Sequence, residues 1–138
     1  MTNRQGFTLI ELMVSISIIA ILTALATISF TSAQKKARDS RRAQDMKNLQ
    51  LAAEQYVSQS GGVYPGTTVV PWVIGGQTIL EVLPFEPKTG YTPYSLNVGT
   101  SSYCICAFME NTISGNASNS TCTLTGGTGP YFCSKNQQ

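Results

Sequence analysis

The sequence predicts an α+β fold in which one long N-terminal helix packs against a small antiparallel β-sheet head. Three observations support this prediction. An apolar segment runs from Phe7 to Phe30, and a proline- and glycine-free amphipathic segment follows from Thr31 to Ser60. The remaining residues are rich in glycine and small polar side chains, with short β-like runs between turns. The chain has 138 residues, which is room for one domain with appendages.

The composition indicates a folded chain and gives little support to an enzyme or a nucleic-acid binder. Apolar residues make up 42% and charged residues 12% of the chain, so intrinsic disorder is not expected. The net charge is only +2, without the coherent basic face that nucleic-acid binders usually carry. There is no histidine, the commonest general base and metal ligand. We therefore expect no catalytic residue, no metal, no cofactor and no nucleic acid as a main partner.

The apolar segment 7–30 is long enough to cross a bilayer, since 1.5 Å per residue gives it a helical length of roughly 36 Å. One alternative is a secretory signal peptide cleaved after Ala26, because Ala24-Leu25-Ala26 resembles a small-x-small site. Another is an ordinary membrane anchor. Neither explains Glu11, an acid whose insertion into hydrocarbon costs about 2.5–3.5 kcal/mol. An acid in such a segment is a candidate functional residue.

Residues 4–12, with the sequence RQGFTLIEL, resemble the prepilin leader motif that type IV pilins share with type II secretion pseudopilins. The resemblance implies cleavage after Gly6 by a prepilin peptidase and N-methylation of the new amino terminus at Phe7. It also implies that Glu11 pairs with the terminal amine of a neighbouring subunit during filament assembly. Such pairing would offset the burial of both charges and fix the axial register.

The resemblance implies a structural subunit of a type IV pilus, with a pilin-like fold. Its partners would be the prepilin peptidase, membrane lipid, an inner-membrane assembly platform and identical or homologous subunits in a homo-oligomeric helical filament. The precursor would lie in the bacterial inner membrane with its head outside, and the assembled filament would be extracellular. A type II secretion pseudopilin or a minor pilin is the alternative within the family. A secreted binding module cleaved after Ala26 and a membrane-anchored thiol enzyme are alternatives from other classes.

The second half of the helix carries a stripe of mainly small residues at steps of three or four. The stripe is Ala33, Ala37, Ser40, Ala43, Met46, Leu49, Ala53 and Tyr56. We predict one continuous helix over residues 7–58. Six bases between residues 35 and 47 are interpreted as a solvated helix face, with subunit contact as the alternative. Counted alone, these bases would place the head in the cytoplasm, against the leader motif and the cysteines.

In the head, Gly61-Gly62 is predicted to end the helix. A broken β-like run follows over 67–74, and Thr78-Ile79-Leu80-Glu81 matches a capping box that would start a short helical turn. Strands are predicted over 94–98 and 101–109, joined by a Gly99 turn, and over 131–134. Residues 111–129 are predicted to form an exposed loop.

The first part of the head extends the family resemblance. Residues 62–65, 83–84, 86–90 and Tyr94 resemble the "YP … DP … Y" skeleton of bacterial pilins and G-type pseudopilins, with Glu86 where the skeleton usually has Asp. The predicted organisation is a leader peptide at 1–6, a membrane and filament-core helix at 7–30, its amphipathic continuation at 31–60 and a disulfide-closed head at 61–138. The head contains no Asp, which disfavours the calcium site carried by the G-type family.

Four cysteines cluster in the C-terminal third at positions 104, 106, 122 and 133, a pattern that predicts two disulfides in an oxidising compartment. A four-thiolate zinc site is disfavoured because C-x₂-C spacing is missing. Cys104 and Cys106 project from the same face of an extended strand, so a direct bond between them would bend the backbone sharply. Of the two pairings left, we expect the nested one, Cys104–Cys133 with Cys106–Cys122.

Overall fold

The structure is a computed structural model that describes residues 6–136. The described residues divide after Gln34 into two compact units. One helix, α1 (Leu9–Ser60), contributes residues to both. The predicted α+β architecture, with a long N-terminal helix and a small antiparallel head, is confirmed. The predicted division at residues 30 and 60 stays a prediction.

The helix ends where the two glycines were expected to stop it. Gly61 and Gly62 both have positive φ, at 77° and 100°. The Gly62 amide donates to the Val57 carbonyl over 3.0 Å, which is the long bond of a Schellman motif. Side chains strongly disfavour this left-handed backbone, whereas glycine adopts it freely. Glycine at these positions therefore sets the helix end at Ser60, two residues beyond the predicted one.

Seven short strands form two antiparallel sheets. A two-stranded sheet pairs β1 (Trp72–Ile74) with β2 (Gln77–Leu80). A five-stranded sheet has the order β3-β4-β7-β5-β6. Its strands are β3 (Ser95–Val98), β4 (Tyr103–Phe108), β5 (Gly115–Ala117), β6 (Leu124–Gly129) and β7 (Tyr131–Lys135). The predicted β3–β4 hairpin and the last strand lie where the sequence placed them, with slightly different ends.

The predicted capping box at Thr78 is wrong, because residues 77–80 form strand β2. Gly75 and Gly76 connect β1 to β2, with φ of 58° and 80°. Two consecutive residues with positive φ make the tight turn whose twist suits a hairpin. The turn directs Thr78 back along β1, opposite Val73, rather than into a helical turn.

The predicted loop at 111–129 is also wrong in part, since it contains β5 and β6. The two strands and β7 approach very closely at two glycines. A Cβ on Gly115 would lie 2.0 Å from the Tyr131 carbonyl oxygen, and one on Gly129 would lie 2.2 Å from that of Ala117. The glycines that suggested a loop are required here because a side chain would collide with a neighbouring strand.

The core of the head lies between the upper part of α1 and one face of the five-stranded sheet. The helix contributes Met46, Leu49, Ala53 and Val57, and strand β4 contributes Tyr103, Ile105 and Ala107. Successive residues of a strand face opposite sides, so Cys104 and Cys106 lie on the other face, in a second small cluster with Cys133. Of the predicted helical stripe, the lower residues Ala33, Ala37 and Ser40 are exposed.

Candidate functional site

The N-terminal unit begins with a helix cap built by two of the motif residues. Thr8 precedes the first helical residue, and its backbone amide donates to Glu11 Oε2 over 2.9 Å. The Glu11 amide in turn donates to Thr8 Oγ1 over 3.3 Å, and the Thr8 hydroxyl donates to Glu11 Oε2 over 2.6 Å. This reciprocal pattern is a capping box, which satisfies amides that a helix start leaves unpaired. Glu11 therefore has a local role that the sequence analysis did not identify.

Gly6 and Phe7, the predicted cleavage and methylation positions, lie just before this cap. Both are exposed, and a Cβ on Gly6 would meet no atom within 4 Å. The preceding motif residues Arg4 and Gln5 lie outside the described residues. The predicted scissile bond thus lies in exposed, non-helical chain ahead of the capped helix.

The helix that follows presents apolar side chains on all sides. Every residue from 6 to 34 is exposed, and the helix is long and apolar enough to cross a membrane by length and composition. Large apolar side chains, from Leu9 through Ile16, Ile21 and Leu25 to Phe30, are each more than half exposed. A helix that is hydrophobic all round is stable only when a bilayer or other protein covers it. The segment therefore requires an environment that this unit does not itself provide.

The head contains a cluster of six charges that the sequence analysis missed. Arg42 is completely buried, and its guanidinium binds three carboxylates: Asp39 at 2.7 Å, Glu110 at 3.2 Å, and Glu86 through a short contact. Arg38 and Lys88 complete the cluster by binding Glu110 at 2.5 Å and 3.2 Å. Three bases face three acids, so the cluster is neutral overall. We refer to these six residues as the ion cluster.

The ion cluster joins three segments that are distant in sequence. Helix α1 supplies Arg38, Asp39 and Arg42; the loop after β2 supplies Glu86 and Lys88; the end of β4 leads to Glu110. Asp39 also accepts hydrogen bonds from the backbone amides of Glu110 and Asn111, at 2.8 and 3.0 Å. Among residues 6–136 every fully buried side-chain nitrogen or oxygen has a hydrogen-bond partner. The cluster is thus satisfied, the condition under which buried charges are tolerated.

The electrostatics of the cluster favour the charged forms of Glu110 and Arg42. The hydrogen bond from Arg38 outweighs burial and lowers the pKa of Glu110 to about 2. Burial alone would lower the pKa of Arg42, but the hydrogen bonds to Glu86 and Asp39 raise it above its ordinary value. The Arg42 guanidinium also lies 4.6 Å from the centroid of the Tyr91 ring, a cation–π distance. Glu110 and Arg42 therefore stay ionised at neutral pH.

The prediction that the bases of 35–47 form a solvated face needs correction at Arg38 and Arg42. Lys35, Lys36, Arg41 and Lys47 are exposed, whereas Arg38 is half-buried and Arg42 is buried. Six of the seven buried residues of α1 follow each other at steps of three or four, at positions 39, 42, 46, 49, 53 and 57. The signal that could have revealed the cluster is this continuation of the core stripe through Asp39 and Arg42, one turn apart.

All four cysteines are bonded, but the nested pairing is wrong. The structure pairs Cys104 with Cys122 and Cys106 with Cys133, which is the crossed arrangement. The register of β4 and β7 is the reason, because it sets Cys133 directly opposite Cys106 and Lys135 opposite Cys104. Cys106 and Cys133 have Cα atoms 4.1 Å apart, whereas Cys104 must take its partner from the segment between β5 and β6.

Comparison with protein families supports the interpretation of the N-terminal segment. Residues 1–27 match the family model described as the prokaryotic N-terminal methylation motif. No curated protein and no solved structure gave a significant match. The matched residues include the predicted cleavage position, Glu11 and most of the apolar helix. The chain carries the prepilin leader motif of type IV pilins and pseudopilins, at the start of an α+β, pilin-like architecture.

Proposed function

We propose that this protein is a structural subunit of a type IV pilus, made as a membrane-anchored precursor and assembled after leader removal. One observation carries the proposal: a methylation motif at residues 1–27 leads into a helix whose apolar side chains are exposed on every side. A bilayer covers such a helix in the precursor, and the helices of other subunits cover it in a filament. The motif points to a structural subunit rather than an enzyme.

Glu11 is proposed to serve two roles, one in the precursor and a later one in the filament. In the precursor it closes the capping box with Thr8, where the carboxylate accepts hydrogen bonds from the Thr8 amide and hydroxyl. Cleavage after Gly6 gives Phe7 a positively charged amine at the start of the helix. In a packed filament the amine of one subunit pairs with Glu11 of its neighbour and sets the axial register. Pairing the two charges offsets the cost of burying both of them in the packed filament.

The head is proposed to lie outside the cell. Two disulfides hold the sheet of the head, and such bonds persist in oxidising compartments. The bases that argued for a cytoplasmic head are partly explained by folding, because Arg38 and Arg42 serve the ion cluster. The partners expected are the prepilin peptidase, the assembly platform of the inner membrane, membrane lipid and further subunits.

Mass spectrometry of the purified protein tests processing. We expect a mature chain that begins at Phe7 and carries a methyl group on its amine. A chain that begins at Thr27 would instead support the secreted module, and an intact Met1 in assembled filaments would contradict the proposal. Antibody to the head, applied to intact cells in electron microscopy, then separates a pilus from a pseudopilin, since only the former gives labelled surface filaments.

The variant Glu11→Ala tests the assembly role. It removes the carboxylate that pairs with the neighbour's amine and makes membrane insertion easier by about 2.5–3.5 kcal/mol. We expect normal amounts of precursor in the membrane, normal or slightly slowed methylation, and few or no filaments. Glu81→Ala, which removes an exposed acid of the head, is the matched control and should leave filament number unchanged. Normal filaments in Glu11→Ala cells would refute the register role.

A further inference from the structure

The sulfur atoms of the head lie much closer together than two separate disulfides require. Besides its own bonded partner, Cys106 Sγ lies 3.8 Å from Cys104 Sγ and 3.8 Å from Cys122 Sγ. The sulfurs of Cys104, Cys106 and Cys122 all fall within 4.8 Å of one another, and Cys133 Sγ is bonded to the central Cys106. The fold thus gathers four cysteines from two strands, β4 and β7, and one loop, with three of their sulfurs mutually close and the fourth bonded to the central Cys106.

These distances match those of a known type of metal site. A tetrahedral zinc centre with Zn–S bonds of about 2.3 Å has sulfur–sulfur edges of about 3.8 Å. Both non-bonded distances from Cys106 already have this length. The C-x-C spacing disfavours zinc when the sequence is considered alone. In the fold, the β4–β7 register brings Cys133 next to Cys106, and the loop before β6 brings Cys122 next to it as well.

We propose that the reduced head binds one Zn²⁺ through the thiolates of Cys104, Cys106, Cys122 and Cys133. Zinc and the two disulfides are then alternative cross-links that stabilise the head and cannot be present together. Reduction by a dithiol or a phosphine supplies two electrons and two protons to each disulfide and yields four thiols. Zinc then displaces four protons and forms four Zn–S bonds. Oxidation of the thiolates by a disulfide or by oxygen removes four electrons, restores both disulfides and releases the ion.

The surroundings of the cluster suit this exchange. Cys104 and Cys122 are half-buried, so a reductant and a metal ion can reach the cluster from the face opposite α1, while Cys106 and Cys133 are buried. Four thiolates around Zn²⁺ carry an excess of two negative charges, and Lys135, paired with Cys104 across β4 and β7, supplies a nearby positive charge. The five-pair ladder between β4 and β7 keeps Cys106 and Cys133 opposite each other without their bond.

The test uses the full chain in detergent micelles, reduced with a phosphine that offers no competing thiol. Native mass spectrometry with Zn²⁺ should give one ion per chain, and Co²⁺ should give the charge-transfer and intense visible bands of tetrahedral thiolate coordination. Fluorescence of Trp72, the single tryptophan and a core residue of the head, reports whether the fold is retained or restored by the metal. The oxidised protein, with no free thiol, is the control and should bind no zinc.

Cysteine variants then locate the ligands. Cys106→Ser should weaken zinc binding more than about 100-fold, because even changes outside the ligand set commonly cost 10–100-fold. Cys133→Ser keeps the group of three neighbouring sulfurs and should weaken binding less than Cys106→Ser. Zinc should also shield four thiols of the reduced chain from alkylation. The proposal is overturned if the reduced protein binds no zinc, if zinc binds without a folded Trp72 signal, or if Cys106→Ser binds as tightly as the wild type.

Discussion

Two segments of this chain share the pattern T-x-x-E but fold in opposite ways. Thr8-Leu9-Ile10-Glu11 forms a reciprocal capping box at the start of α1. Thr78-Ile79-Leu80-Glu81 instead contributes strand β2 and pairs with β1. The first is followed by a long run without proline or glycine, whereas the second lies between the Gly75-Gly76 turn and Pro84. A local signal is realised only where the flanking residues allow the same structure to continue.

The comparison extends to how the two regions satisfy their charges. In the N-terminal unit, the described bonds of the Glu11 carboxylate go to Thr8, three residues away. In the head, Arg42 binds Glu86 and Glu110, which are 44 and 68 residues away. Interactions between distant segments depend on the whole fold, so we expect their loss to destabilise the protein more than the loss of a local cap. Four predictions test this ranking, in order of decreasing effect.

The largest effect is expected for Arg42→Gln, which removes the central base of the ion cluster. It leaves the buried Asp39 and the largely buried Glu86 without their main partner, and breaking a buried ion pair in this way costs about 3–5 kcal/mol. Urea unfolding followed by Trp72 fluorescence measures the loss. Arg41→Gln is the matched control, because Arg41 is exposed and its described contact is a cation–π approach of 5.7 Å to Phe85. A cost below 1 kcal/mol for Arg41→Gln is expected, and equal midpoints for the two variants would contradict a buried cluster.

The second-largest loss of stability is expected when a disulfide is removed. In the chain-entropy model, bonds that close sequence separations of 27 and 18 residues stabilise the head by about 3 kcal/mol each, slightly more for Cys106–Cys133. The double variant Cys106→Ser/Cys133→Ser should therefore lower the free energy of unfolding by about that amount, with Cys104→Ser/Cys122→Ser a little milder. Non-reducing peptide mapping should recover the 104–122 and 106–133 pairs. Recovery of a 104–133 peptide pair would show that the β4–β7 register is different in solution.

Acid should destabilise the head through Glu110. The pKa of this carboxyl is about 2 in the folded head, below its ordinary value of 4.5, so the unfolded chain binds more protons between these values. Its contribution, on the order of 2 kcal/mol, is fully present above about pH 4.5 and is lost as the pH falls towards 2. Unfolding free energies measured from pH 6 to pH 2 should decline more steeply for the wild type than for Glu110→Gln. Parallel curves would mean that Glu110 is not held ionised by Arg38.

Structural features that depend on neighbouring residues could be predicted from the sequence. Features that depend on contacts between distant residues were missed. The helix, its stop at Gly61-Gly62 and the β3–β4 hairpin each rest on residues adjacent in the chain. The β5–β6 pair was missed because Gly115 and Gly129 are required by contacts with other strands, not by a local turn. The ion cluster and the crossed disulfides were missed for the same reason: strand register and loop position bring their members together, and neither is encoded by spacing alone.

The smallest effect is expected at the two T-x-x-E segments themselves, and it tests the comparison most directly. In Thr8→Ala the Glu11 amide loses its bond to the Thr8 hydroxyl, and the carboxylate loses a donor. Loss of such a cap costs about 1 kcal/mol, which corresponds to roughly fivefold faster opening of the first helical turn.

Hydrogen exchange at the backbone amides of the unprocessed chain in micelles measures this opening. The Glu11 amide should exchange roughly fivefold faster in Thr8→Ala, as a cap worth about 1 kcal/mol requires. Thr78→Ala is the matched control, because Thr78 lies in a strand whose pairing with Val73 uses backbone groups. The Glu81 amide should exchange at an unchanged rate in that variant, since no helix begins there. If instead Thr78→Ala accelerates exchange at Glu81 and Thr8→Ala leaves Glu11 unaffected, the capping box belongs to the other segment, and the flanking residues do not decide between the two folds.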